Sequence, residues 1–354
     1  MVYLISDDQK KAYMRACLDL AMQGRGKTSP NPMVGAIVLN RDRQIVARGF
    51  HSRAGKRHAE IEALDEAGDL AKGGTLLVNL EPCAHHGRTP PCAEAIIKAG
   101  IETIIVGTTD PNPLVNGKGI ERLREAGLEV EVGVLEEECL EINRCFFRWI
   151  KTGLPWVTLK IAARLDGRIG ESSKTCWITG DEARARVQEL RKDYDAVLTG
   201  SGTILADDPK LTYHADPSLN PLRVILDRRL QTSPEHKVYC EEGKTLVYIG
   251  SDRDASSRHF QPKTIITTYP CDLKGVLKDL GTRQILSVLV EAGQTLNSEF
   301  IEQGLYQEIQ LFINPSFGGK EKEKRFYEGV LTQTKLVKTE QIGEDLLLIL
   351  NPRE

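Results

Sequence analysis

At 354 residues the chain is longer than a single hydrophobic core usually serves, about 250–300 residues, so two domains are expected. It is 40% hydrophobic and 27% charged, with net charge −3 and a pI near 6.2, so it lacks the basic face that a nucleic acid requires. A small phosphorylated ligand remains open, because one or two arginines suffice to hold it.

The N-terminal stretch "MVYLISDDQKKAYMRACLDLAM" has no basic segment followed by an apolar run, and no stretch reaches the ~18 apolar residues of a membrane span. A cytoplasmic location is the expectation. The eight cysteines, at 17, 83, 92, 139, 145, 176, 240 and 271, are too scattered for a disulfide framework. Most read as small buried apolar residues, and only the 83/92 pair has chemical company.

Residues 1–150 alternate strand and helix. "MVGAIVLN" and "QIVARGF" read as a hairpin joined near Asp42. "HAEIEALDEAG" is a helix stopped by Gly68, and "GTLLVNL" is a strand. "CAEAIIKAG" is a helix with Gly100 at its C-terminal end. "ETIIVGTTD", the helix "GIERLREAG" and "LEVEVGV" follow, and "EEECLEINRCFFRWIKTG" reads as one closing helix. This alternation predicts a largely parallel sheet with helices on both faces. "GLPW" marks the break, and a second α/β domain is expected over 154–354. Its strands are "WVTLKIA", "AVLTGSG", "LRVILD", "TLVYIG", "TIITT", "ILSVLVEAG", "EIQLFI" and "DLLLIL". Its helices are "TGDEARARVQELRKDY", with Thr179 and Glu182 in the form of a capping box, "LKGVLKDLG" and "LNSEFIEQG". The mixed-charge run "KEKEKR" (320–325) reads as a solvated loop.

The chemistry concentrates in "LEPCAHHGRTPPCAEA". Cys83, His85, His86 and Cys92 suggest a closed structural zinc knot, or two ligands of a catalytic metal whose third ligand lies elsewhere. Adjacent histidines point in different directions on most backbones, so a knot using both would strain the loop. "RHAEIEA" offers the alternative. A catalytic zinc needs three protein ligands and an open position, plus an acid/base that is not a ligand. His58, Cys83 and Cys92 supply the first set and Glu60 the second. Residues i and i+2 diverge around a helix, so His58 and Glu60 converge only if His58 stands at the helix entrance. Cys92 opens a helix after two prolines, where thiolate is favoured. The His-x-Glu…Pro-Cys-x-x-Cys pattern of zinc deaminases is matched, except that the eight residues "AHHGRTPP" replace the usual two. Hydrolytic removal of ammonia from an amidine-type ring carbon is the expected reaction. Free thiols beside a surface histidine are the bland alternative.

"SPNPMVGAIV", "HAEIEAL", "LEPCAHHGRTPPC" and "DPNPLVNGKG", with "LKIAARLDGRIG", "WITG", "TILADDPKLT" and "VEAGQTL" later, resemble the bifunctional deaminase–reductase family of riboflavin biosynthesis over nearly the whole chain. The resemblance implies a cytidine-deaminase-like αβα domain followed by a dihydrofolate-reductase-like α/β domain. It implies deamination of a 2,5-diamino-6-ribosylamino-pyrimidinone phosphate with Zn2+, then NADPH-dependent reduction of the ribosyl chain to ribityl. It assigns Asn31, His51, His85 and Arg88 to the pyrimidine and ribose. In the second domain it assigns Lys160, Thr175, Arg191, Leu211, His214 and Glu291 to substrate. Ala162, Trp177, Thr203, Asp207 and the turn Gly293, Gln294, Thr295, Leu296 go to the dinucleotide. The strand–turn–helix form of "EAGQTLNSEF" suits phosphate independently of the resemblance. Arg191 also reads as a partner of its helix macrodipole. Lys160, Asp207 and Glu291 are the candidate proton donors of the reduction. Arg164 replaces the Ser of a common "SLDG", and His214 replaces an Arg, so a phosphate grip there would depend on pH. A homo-oligomer is expected on general grounds. The competing readings are a nucleic-acid or nucleotide base deaminase with a non-reductase accessory domain, and a binding protein with closed zinc.

Overall fold

The structure, a computed structural model, describes residues 5–84, 91–113, 115–169, 177–318 and 324–353. The chain divides into two units, Met1–Gly153 and Leu154–Glu354.

The first unit contains α1 (Asp7–Met22), β1 (Gly35–Leu39), β2 (Ile45–Phe50), α2 (Ala59–Ala67), β3 (Thr75–Leu80), α3 (Cys92–Lys98), β4 (Thr103–Thr108), α4 (Lys118–Glu125), β5 (Glu129–Val132), α5 (Glu136–Ile142) and α6 (Arg144–Thr152). Its sheet runs β2-β1-β3-β4-β5. The hairpin makes β1 antiparallel to β2 and β3, while β3, β4 and β5 are parallel, so the sheet is mixed. Alternation decides which helix covers which face. Ala36, Val38, Leu76, Val78, Ile104 and Val106 pack with α2, α3 and α4. Ile37, Leu39, Leu77 and Ile105 pack with α1 and α5. This is a three-layer αβα unit.

Helix α1 was not expected, although its signal is present. Ser6 accepts from the Gln9 amide and Gln9 accepts from the Ser6 amide, and Asp7 and Asp8 sit in the first turn. The single closing helix is split at Asn143, whose φ of −107° leaves the helical region. Its side chain is committed to the backbone of Met33. Not every cysteine outside the pair is buried: Cys17 and Cys139 are, but Cys240 and Cys271 are exposed.

The second unit contains β6 (Trp156–Arg164), α7 (Asp181–Asp193), β7 (Ala196–Gly200), α8 (Ser201–Asp207), β8 (Leu222–Leu226), α9 (Lys237–Cys240), β9 (Thr245–Ile249), β10 (Thr264–Thr268), α10 (Leu273–Thr282), β11 (Ser287–Val290), α11 (Gln294–Glu302), β12 (Glu308–Asn314), β13 (Thr334–Ile342) and β14 (Asp345–Pro352). The sheet order is β10-β9-β8-β7-β11-β6-β12-β14-β13. All pairings are parallel as far as β12, and the β13–β14 hairpin is antiparallel. Helices α10 and α11 cover one face. The other is covered by α7, α8 and α9. The expected capping box at α7 does not form. Gly180 is the N-cap, its amide donates to Asp345 Oδ2 at 2.7 Å, and Arg184 takes the Thr179 carbonyl. Strand β13 forms the outer edge and was also unexpected, because its largely exposed "TKLVKTEQI" carries no clean apolar alternation. The run "KEKEKR" lies largely outside the described residues.

Arg223, fully buried on β8, donates to Thr245 Oγ1 and to the carbonyls of Glu241, Glu242 and Gly243. Arg223→Leu strands these acceptors and is expected to cost about 2–4 kcal/mol, measured by urea unfolding.

Candidate metal centre and substrate sites

His58 is the N-cap of α2, with φ −74° and ψ 155°, so it stands at the helix entrance that its spacing from Glu60 demands. Gly49 lets α2 approach β2 closely, since a Cβ there would lie 2.2 Å from the Ala59 carbonyl. Cys83 follows β3, and Cys92 begins α3. His58 Nδ1 lies 3.1 Å from Cys92 Sγ and 3.7 Å from Cys83 Sγ, and all three donor atoms fall within 4.8 Å of one another. A tetrahedral zinc with ~2.3 Å sulfur and ~2.0 Å nitrogen bonds would space its ligand atoms by about 3.5–3.8 Å. One imidazole and two thiolates at these separations fit such an ion. His85 and His86, the other members of the closed-knot alternative, lie outside the described residues, as do Arg88 and Thr175.

Of the three donors, Cys83 is the one driven towards the form that ligates a metal. The Cys92 thiol and amide, with His58, hold Cys83 down at about 4 despite burial, and Cys92 is pushed up in turn by its neighbouring sulfur. His58 is raised by its contact with Cys83. Glu60 is 4% exposed and lies against the Cys92 thiol. Burial raises its carboxyl above the ordinary range, the direction that suits a group both taking and giving a proton.

His51 and Asn31 meet beside the cluster. The His51 and His58 rings stand edge to face, with centroids 5.8 Å apart. His51 Nδ1 lies 2.9 Å from the Arg57 carbonyl, so it carries the proton and donates there. Nε2 then accepts from Asn31 Nδ2 at 3.1 Å. Burial lowers the His51 pKa, so the ring stays neutral. As pH falls below about 6.5, the unfolded chain takes up this proton before the folded one does. The stability held by neutral His51 is complete above that pH and is lost as pH falls through the folded value. Urea midpoints across pH 5–8 are therefore expected to show a flatter acid limb for His51→Gln than for the parent.

Three residues that carry the architecture here were not among the expected ones. Glu81, just before Pro82-Cys83, accepts from the amides of Asp110, Gly117, Gly119 and Ile120, tying the strand end to the start of α4. Gly119 permits this approach, since a Cβ there would lie 1.9 Å from the Pro82 carbonyl. Asn79 and Asn143 are the others. Asn79 alone had a signal in the sequence, a polar residue in the apolar run "TLLVNL".

In the second unit, Arg191 and Glu291 form a two-pronged ion pair. Nε to Oε1 is 2.7 Å and the second contact is 3.0 Å, and Arg191 also donates to the Thr212 carbonyl. Both side chains are nearly buried, at 12% and 11% exposure. Arg191 therefore spends its charge on Glu291 and not on the last carbonyls of α7. Burial opposes ionisation of Glu291, but Arg191 and Lys160 outweigh it and hold the carboxylate below its ordinary range. Lys160 sits on β6, with its Nζ 6.0 Å from the Phe312 ring centroid, and burial lowers its ammonium.

The neighbouring strands β7 and β11 run directly into α8 and α11. Gly293 caps α11, Gln294, Thr295 and Leu296 form its first turn, and Thr203 lies in α8. Among the described residues, a Cβ at Gly202 or Gly293 would meet nothing within 4 Å, so they leave space open in front of both turns. Amides at the start of α11 facing such space suit a phosphate. The Gln294 side chain donates to Glu328. Ala162 lies on β6, Leu211 is buried at φ +53°, and Trp177, Asp207 and His214 are exposed. Trp177 packs under the Arg184 guanidinium at 4.8 Å.

Two family models match, the cytidine and deoxycytidylate deaminase zinc-binding region over residues 7–108 and the RibD C-terminal domain over residues 155–348. The riboflavin biosynthesis protein RibD of Aquifex aeolicus is 40% identical over 348 residues, 96% of this chain and 97% of that protein. The chain belongs to the RibD family. The RibD structure from Acinetobacter baumannii superposes with a TM-score of 0.91 at 37% identity, covering 99% of this chain and 100% of that one. A second RibD-type structure, titled as a diaminohydroxyphosphoribosylaminopyrimidine deaminase/5-amino-6-(5-phosphoribosylamino)uracil reductase from Thermotoga maritima, gives 0.90 at 37%, covering 98% and 99%. RibD membership carries the cytidine-deaminase-like and reductase folds, and with them deaminase and reductase activity in riboflavin biosynthesis. The zinc-binding region and the reductase domain imply zinc and a nicotinamide cofactor. Among the described residues no helix is long and apolar enough to cross a membrane.

Proposed function

We propose that residues 1–150 remove the 2-amino group of 2,5-diamino-6-(5-phosphoribosylamino)pyrimidin-4-one, and that residues 154–354 then reduce the ribosyl side chain to ribityl with NADPH. The observation that carries the first half is the convergence of His58 Nδ1, Cys83 Sγ and Cys92 Sγ beside the buried Glu60. His58, Cys83 and Cys92 would hold Zn2+, which when bound supplies Lewis-acid activation of water, lowering its pKa towards about 7. Glu60 takes a proton from the attacking water and hands it to the departing amine. Water and the C–NH2 group thus become a ring carbonyl and ammonia. Asn31 and neutral His51 orient the ring from the adjoining wall, with His85 and Arg88 from the cysteine loop.

In the second half, the Arg191–Glu291 pair and Lys160 supply the charge for substrate binding, and the family resemblance adds Thr175, Leu211 and His214 to the same site. The turn Gly293–Leu296, with Ala162, Trp177, Thr203 and Asp207, receives NADPH, the hydride donor. The lowered ammonium of Lys160 makes it the favoured proton source of the reduction. The net charge of −3 favours a free phosphorylated pyrimidine over a nucleic acid, and we place the enzyme in the cytoplasm as a homo-oligomer.

Ammonia release from the small pyrimidine phosphate, compared with structured RNA, tests the first half. A strong zinc chelator is expected to stop ammonia release while NADPH oxidation on the deaminated intermediate continues. Normal ammonia release without NADPH oxidation would retire the reductase assignment.

A further inference from the structure

We infer that Asn143, together with Asn79, positions the loop that carries Asn31 by clamping the backbone N–H and C=O of Met33. Asn143 is 2% exposed and stands at the break between α5 and α6. Its Oδ1 accepts from the Met33 amide at 2.8 Å, and its Nδ2 donates to the Met33 carbonyl at 2.9 Å. Asn79, fully buried on β3, donates to the same carbonyl at 3.1 Å and accepts from the Gly35 amide at 2.8 Å. The backbone of one residue, on both sides of its Cα, is thus gripped from a distant helix junction and from the strand that leads to Cys83.

The grip has a consequence two residues upstream. Asn31 is fixed at one end by its amide, which donates to the Thr28 carbonyl. At the other end it is fixed by the clamped Met33. Its side chain then meets His51 Nε2, while His51 Nδ1 holds the Arg57 carbonyl just before His58. A polar chain therefore runs from the helix break to the ligand-bearing segment. Helix continuity is given up at Asn143, and the side chain that interrupts it makes two hydrogen bonds to a single residue. A buried amide matched on both oxygen and nitrogen specifies one loop position, because any slip leaves polar atoms unpaired. Asn143 acts through Asn31 and touches no reacting atom, so it is a positioning residue.

The inference rests on the reading that Asn31 contacts the pyrimidine, and a double-mutant cycle on the full-length, zinc-loaded enzyme separates the two. Asn143→Asp keeps the acceptor for the Met33 amide but turns an oxygen towards the Met33 carbonyl. It is expected to raise the deaminase KM about tenfold, with kcat within about twofold, the pattern of lost ground-state binding. In an Asn31→Ala background the same change is expected to cost less than about twofold, because coupled residues are not additive. Zinc content and NADPH oxidation on the deaminated intermediate stay at parent values. Equal losses in both backgrounds, a loss that follows zinc content, or no loss in the single variant would each overturn the positioning role. An Asn31→Ala enzyme with parent KM would instead remove the reading of Asn31 itself, and the inference with it. If Asn143→Asp yields no folded protein, Asn79→Ser enters the same cycle with the same criteria.

Discussion

Glu60→Gln is expected to lower ammonia release by about 10²–10⁴-fold, the range of a lost general acid/base. The substitution keeps the shape and hydrogen-bonding reach of the side chain but cannot carry a proton. Glu60 is well placed for a large effect: it is buried, lies against the Cys92 thiol, and is held above the ordinary carboxyl range by desolvation. The ligand set is left intact, so zinc measured by atomic absorption should stay at the parent level. NADPH oxidation on the deaminated intermediate should also be unchanged. A Glu60→Gln enzyme that retains more than about a tenth of the parent rate would rule out Glu60 as the proton carrier.

The second large effect concerns the buried pair in the reductase half. Arg191→Met leaves Glu291 nearly buried with Lys160 as its remaining cation, and is expected to cost about 3–5 kcal/mol of stability. The double replacement Arg191→Met with Glu291→Leu removes both charges, and buried pairs exchanged for apolar residues often return to near-parent stability. The two variants therefore separate folding from function. Thermal unfolding should show a low Tm for the single variant and recovery for the double, while NADPH oxidation is lost in both. Recovery of reduction in the double variant would show that the pair serves the fold alone.

What the sequence made legible follows from how local each signal is. His58 and Glu60 stand two apart, and elementary helix geometry allows them to converge only at a helix entrance, which is where they stand. Gly68 at φ +52° and Gly100 at φ +72° stop their helices as their residue type announces. Strand β13 and the Asn143 break were not legible, although the strand's hairpin partner β14 was read as "DLLLIL". Asn143 interrupts a segment of good helix formers for a partner 110 positions away, and nothing nearby in the chain encodes that partner. Arg191 and Glu291 are 100 positions apart, so their pairing is likewise a tertiary fact. Thr179 and Glu182 had the right spacing for a capping box, yet the carboxylate of Asp345 reached the Gly180 amide and Arg184 took the Thr179 carbonyl. Local propensity yields wherever a distant partner supplies a better bond.

Strand β13 closes one end of the nine-stranded sheet, with Leu336 and Val337 more than half exposed. A bare ribbon of this kind is a template on which further chains can grow without limit. Two features discourage it: the ladder slips register between Leu336 and Lys338, and Lys335 and Lys338 put charge along the rim. Pairing of another strand onto this rim is thus opposed by a kink and two ammonium groups.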